Sequence, residues 1–195
     1  MHRTALILVA CAAAVAGVAP SGFAKDPVER LTAFAVDMST APDARSNPVR
    51  SGTVNIAIER WSTEEERKRL MGALKEGGPD LLLKQLQKID DPAGQIYTPG
   101  RVGTPLRFAW QSPLPDGGRR IVVATDRKIG FLEAANRPRT IDYPFLVLDI
   151  RMNGEGKGQG KLLPVARIER AEDGTFEVES YASEPVRLTE VRSEK

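Results

Sequence analysis

Histidine and cysteine are almost missing from this chain. Its 195 residues hold one His, His2, and one Cys, Cys11. Both fall within the first 24 residues, so removal of that segment leaves neither imidazole nor thiol. A Ser-His-Asp triad, a Cys-His pair and a His- or Cys-based zinc site all require residues that are then absent. No metal, cofactor or catalytic residue is expected on these grounds. Disulfides are ruled out too, although export often brings them to small domains. A chain of this size can instead rely on its own hydrophobic core. Charge of one sign is also lacking. The 28 Lys+Arg stand against 26 Asp+Glu, a formal net charge of +2. That balance gives no bulk attraction for nucleic acid. The apolar run Ala5–Ala19 is shorter than the roughly 20 residues that span a bilayer as a helix, so no membrane span is expected.

What is present begins with a leader. Met1-His2-Arg3 supplies a short positive start, Ala5–Ala19 an apolar stretch, and Gly22 and Ala24 the small residues of a cleavage site. This pattern reads as a signal peptide over residues 1–24, with the product exported to the periplasm or secreted. Leu8-Val9-Ala10-Cys11 offers an alternative, a lipoprotein anchored through Cys11. The apolar run continues past Cys11 to Ala19, which weighs against that alternative.

Residues 25–51 read as a flexible N-terminal segment or linker, in which Val28–Val36 fits a short helix or an edge strand equally well. Residues 52–192 read as a single β-rich domain and residues 193–195 as a C-terminal tail. The domain opens with Val54, Ile56 and Ile58 on one face of a strand. Ser62-Thr63-Glu64-Glu65 predicts a capping box on Ser62 and Glu65. The helix that follows is expected to stop at Gly77-Gly78. Pro79 then starts a second helix, giving a helical hairpin inserted after the first strand. Beyond Pro92 the pattern is strand-like. Leu106, Phe108 and Trp110 alternate with Arg107, Ala109 and Gln111. Pro115-Asp116-Gly117-Gly118 marks a hairpin, and Leu146, Leu148, Ile150 and Met152 share a face opposite Phe145, Val147 and Asp149. Successive hairpins give the expected fold class: mainly β, a curved antiparallel meander or up-and-down barrel.

No motif specifies an activity. Gly154–Lys161 lacks the glycine and the Ser/Thr of a phosphate loop, fails the dinucleotide fingerprint in every register, and reads as a mobile hairpin loop. Arg119, Arg120, Arg127, Lys128, Arg137 and Arg139 outnumber Asp126 and Glu133 over residues 119–139. Gathered in space, they would attract an anionic sugar, lipid headgroup or carboxylate. Trp110 and Tyr143 can line such a pocket. The candidate ligand-binding residues are therefore Asp126, Arg127, Arg137, Arg139, Trp110 and Tyr143. Thr53–Thr63 and Ile121–Arg127 together resemble an uncharacterised family of exported bacterial proteins with no assigned activity. The resemblance covers most of residues 52–192 and implies no activity, cofactor or catalytic residue.

The expected function is that of an exported, non-enzymatic β-rich protein binding an anionic or amphipathic ligand, or a protein partner, of the cell envelope. The sequence leaves its oligomeric state open. Two alternatives stand beside it. The abundant carboxylates suit a hydrolase or lyase acting on glycans through an acid–base pair. An exposed sheet edge would suit a structural or assembly factor that docks a partner.

Overall fold

The computed structural model describes residues 26–37, 50–100, 102–127, 145–163, 167–170, 176–179 and 186–194. In chain order the elements are β1 (Glu29–Asp37), β2 (Arg50–Ile58), α1 (Glu64–Gln87), β3 (Gly94–Tyr97), β4 (Thr104–Pro113), β5 (Arg119–Thr125), β6 (Val147–Met152), β7 (Lys157–Leu163), β8 (Arg167–Arg170), β9 (Phe176–Glu179) and β10 (Val186–Glu194). Eight strands close into an antiparallel barrel in the order β1-β10-β7-β6-β5-β4-β3-β2, and β8 and β9 form a separate two-stranded sheet. Of the alternatives that the alternation allowed, the barrel is the one formed. It also starts earlier than residue 52. Val28–Val36 falls largely in β1, which is no edge strand, because it pairs with both β2 and β10. Part of the supposed linker is thus a stave of the barrel.

Alternation explains the inside of the barrel. Leu31, Ala33 and Ala35 of β1, Val54, Ile56 and Ile58 of β2, Ile121 and Val123 of β5, and Leu148, Ile150 and Met152 of β6 form one buried cluster. An eight-stranded barrel has an interior just wide enough to be filled by its own side chains. Leu146, Leu148, Ile150 and Met152 all face inward, as their period predicts. In β4 the simple alternation fails. The β4–β5 register shifts between Leu106 and Phe108, so Leu106 and Ala109 both point inward while Phe108 joins the outer cluster. A bulge of this kind moves every later side chain to the other face.

A second apolar cluster lies outside the wall. Leu70, Leu74, Leu82, Leu86 and Ile89 of and beside α1 cover Ala124, Phe145 and Val147, with Phe108 and Val122 at the margin. α1 also lies beside β8. Two expectations about this region are corrected. The cap is Thr63 rather than Ser62. Thr63 Oγ1 accepts from the Glu66 amide, and Glu66 accepts from the Thr63 amide. Ser62 is instead a buried clamp: its amide donates to the Ala109 carbonyl and its Oγ accepts from the Ala109 amide.

The helical hairpin after the first strand is not formed either; one helix, Glu64–Gln87, follows the second strand. The residues that were to separate two helices, Gly77 (φ −139°, ψ 15°) and Gly78 (φ 64°, ψ −158°), leave helical geometry inside that single element. A straight helix of its 24 residues would be about 36 Å long. Yet Arg60 bonds Glu66 near the start and Asp91 just past the end, so the break bends the element sharply.

One mouth of the barrel carries a polar closure. Glu29, in phase with the inward Leu31, and Arg119, in phase with the inward Ile121, meet at 2.9 Å. Their strands, β1 and β5, are four steps apart whichever way the ring is followed. Ser193 Oγ donates to the same Glu29 oxygen at 2.6 Å, and Arg119 donates to Gln111. A charge pair thus crosses the lumen where the apolar filling ends.

Candidate functional site

The residues singled out from the sequence do not all fall within view. Arg137, Arg139 and Tyr143 lie outside the described residues. Asp126 follows the end of β5 and pairs with Arg107 at 2.9 Å. Arg107 also donates to the Ile89 carbonyl just beyond α1, so this pair ties the helix end to the barrel. Arg127 is exposed, and its carbonyl accepts from Thr125 Oγ1. Trp110 stands on the outer face of β4 under Arg67, whose guanidinium carbon is 5.2 Å from the ring centroid. Arg67 is held there by both carboxylate oxygens of Glu64, an arrangement that covers the ring with a cation. Thus Asp126 and Trp110 each have a local partner.

The cationic run over residues 119–139 separates as soon as it enters β5. Consecutive strand residues face opposite sides. Arg119 therefore turns into the barrel mouth, while Arg120 projects outward and forms a two-pronged pair with Asp149, both contacts at 2.9 Å. The hydrogen bond to Asp149 raises the Arg120 guanidinium above its ordinary value, with burial acting the other way.

Past Arg120, the outer wall gathers cations that no single segment reveals. Register places Arg120 opposite Arg151, Asp149 opposite Lys161, and Lys161 opposite Arg187. Side chains in directly opposed positions have Cβ atoms about 4.5–5.5 Å apart, and like charges there are unfavourable. Two like-charged pairs therefore flank Asp149, and Asp149 is engaged by Arg120. Arg151, Lys161 and Arg187 have no carboxylate hydrogen-bonded or ion-paired to them among the described residues. All three are exposed. They line a groove of about 530 Å³ together with Asp149, Gln159, Gly160, Leu188 and Thr189. A second hollow, about 680 Å³, shares Arg151 and Gln159 and extends to Lys157 and the β4–β5 turn at Asp116.

The backbone is irregular beside this groove. The β7–β10 register shifts between Leu188 and Val191. Within that bulge Glu190 has φ 49°, the one positive φ of a non-glycine among the described residues. Bulges re-aim side chains and are frequent next to binding sites. Here alternation already places Thr189 on the outer face beside Arg187, and the bulge that follows brings Val191 inward. The glycine-rich stretch is a tight turn running into a strand rather than a loop along its whole length. Asn153 Oδ1 accepts from the Glu155 and Lys157 amides to make a tight turn, and β7 begins at Lys157. Gly158 lets β7 approach β6, since a Cβ there would collide with the Arg151 carbonyl.

The groove offers three cationic heads, one amide and one hydroxyl, a donor set for phosphate, sulfate or carboxylate oxygens. Among the described residues no group of three or more His, Cys, Asp or Glu gathers as for a metal ion. No described helix is long and apolar enough to cross a membrane. Neither a protein-family model, nor a curated protein, nor a solved structure matches this chain.

Proposed function

We propose that this chain is an exported, non-enzymatic barrel protein that binds an anionic ligand on its outer wall. The observation that carries the reading is the placing of Lys161 opposite Arg187, beside Arg151, in a groove where described carboxylates leave all three unpaired. Such a cluster is costly without a counter-charge and favourable with one. The barrel interior is packed with branched apolar side chains, which directs binding to the surface.

The two rival readings fit less well. Glycan hydrolysis needs two carboxyl groups facing one another, whereas Asp126 and Asp149 each face an arginine. Docking through a sheet edge needs an unpaired strand; every barrel strand has two partners, and among the described strands free edges are left to the four-residue β8 and β9. Export rests on residues 1–24, and the mass of the mature N-terminus distinguishes cleavage after Ala24 from lipidation at Cys11.

The test is calorimetric titration of the full chain with inorganic polyphosphate at low salt. Affinity falls by at least tenfold in Arg151→Gln and in Arg187→Gln, and it weakens as salt rises. Loss of affinity in Arg127→Ala or Arg137→Ala, with Arg151→Gln unaffected, would move the site to the region first indicated by the sequence.

A further inference from the structure

Phe34 stands on β1 directly opposite Thr189 of the groove, and Val36 stands opposite Arg187. Phe34 is 42% exposed and Val36 is half-buried. Both lie out of phase with the inward-facing Leu31, Ala33 and Ala35, so they belong to the outer wall. Along β6, β7, β10 and β1, this face therefore runs from cations to an apolar shoulder. The acidic groups interspersed on it are engaged: Asp149 by Arg120 at 2.9 Å, Glu155 by Lys157 at 3.3 Å and Glu190 by Arg192 at 3.4 Å.

We infer that this wall docks on an anionic bilayer surface, with Arg151, Lys161 and Arg187 on lipid phosphates and Phe34 in the interfacial layer. The inference rests on the anion-site reading and adds its source. A soluble phosphate would use the three cations and leave Phe34 idle. A lipid surface uses both, since its headgroups are anionic and aromatic side chains favour the headgroup level. The attraction of a basic residue held near an anionic leaflet amounts to roughly fivefold in partitioning. Three such residues give a weak, reversible, salt-sensitive association.

Co-sedimentation of the full chain tests this with vesicles of phosphatidylcholine alone and of phosphatidylcholine mixed with an equal part of phosphatidylglycerol. All variants keep the same N-terminal segment, so its contribution cancels. The chain partitions onto the mixed vesicles in preference to phosphatidylcholine, and added salt releases it. The triple variant Arg151→Gln, Lys161→Gln, Arg187→Gln loses on the order of a hundredfold in partitioning. Phe34→Ser loses roughly fivefold on the mixed vesicles while keeping its affinity for soluble polyphosphate. Cooperative thermal unfolding of each variant, within a few degrees of the parent, shows that the fold is retained. If polyphosphate binds through the three cations but mixed vesicles are not preferred, the bilayer inference is overturned and the anion site stands. If Phe34→Ser partitions like the parent, the apolar shoulder is not part of the docking face and the inference fails. If the triple variant binds polyphosphate like the parent, the anion-site reading itself fails.

Discussion

Lys161 on β7 and Arg187 on β10 occupy directly opposed positions across the outer wall, two cations where pairing rules favour unlike charges. Lys161 has Asp149 on its other side, whereas Arg187 has Val36. Replacing Arg187 therefore relieves repulsion without removing a favourable neighbour. Arg187→Gln should raise the midpoint of thermal unfolding by about 1–2 °C while weakening anion binding. Calorimetry reads both quantities on one sample. A fall in both would indicate that Arg187 supports the fold rather than a ligand.

The closure at the barrel mouth makes a second prediction. Glu29 serves Arg119 and Ser193 together, and its side chain is only 10% exposed. Glu29→Ala leaves the Arg119 guanidinium over an apolar lumen and should cost about 1–3 kcal/mol. Arg119→Met, which removes the orphaned charge, should restore part of that loss when the two changes are combined. Urea unfolding of the four proteins of this cycle measures the coupling. Additive losses would show that the pair across the lumen contributes nothing.

Acid should loosen the base of the helix first. The hydrogen bond from Arg60 holds the Glu66 carboxyl below its ordinary value, with burial opposing it and the Thr63 amide assisting. Below the ordinary glutamate value the unfolded chain takes up a proton that the folded one still refuses, so stability falls as pH falls. The contribution is complete above about 4.5 and is lost as pH drops through the lowered folded value. Denaturation of Glu66→Gln at a series of acidic pH values should give a shallower slope than the parent. Equal slopes would mean that Glu66 is not a source of the acid sensitivity.

Gly94 opens β3 at φ 149°, where a Cβ would collide with the Ala57 carbonyl oxygen. The neighbouring Ala93 carbonyl meanwhile accepts from both the Glu59 and Arg60 amides. Gly94→Ala combines an unfavourable backbone conformation with a steric clash against the β2 backbone, and should cost about 3 kcal/mol in urea unfolding. A loss below about 1 kcal/mol would show that β2 and β3 can separate without consequence.

The barrel could be read from period alone where strands are regular: Leu146, Leu148, Ile150 and Met152 share one face by period, and that face is the inward one. The reading failed where one extra residue enters a ladder. At Leu106/Phe108 the bulge exchanges Phe108 for Ala109 on the inner face, and alternation has no means of marking that slip. The cap moved from Ser62 to Thr63 because both are hydroxyl residues followed by a glutamate three positions on; the Ala109 backbone decided between them by engaging Ser62. β1 was missed as part of the fold because its ladders run to β2 and to the distant β10. The candidate site was hidden for a related reason. Arg151, Lys161 and Arg187 lie in three separate strands, and only register brings them together. A search for charges on outward phases of successive strands would have found Arg151, Lys161 and Arg187, the last lying just before the bulge.

The pairing of β1 with β10 also fixes when this molecule can become itself. Ser193 and Glu29, bonded to each other, are separated by 164 positions, so the ring stays open until almost all of those residues are available. Contacts across such long stretches are formed late and slowly. During synthesis the earlier strands can pair as hairpins, but the lumen, its polar closure and the wall shared by β7, β10 and β1 have to wait for β10. Under the proposed export this delay would be useful: a chain whose ring is still open stays threadable, and the face that carries Lys161, Arg187 and Phe34 is assembled only once β10 is in place.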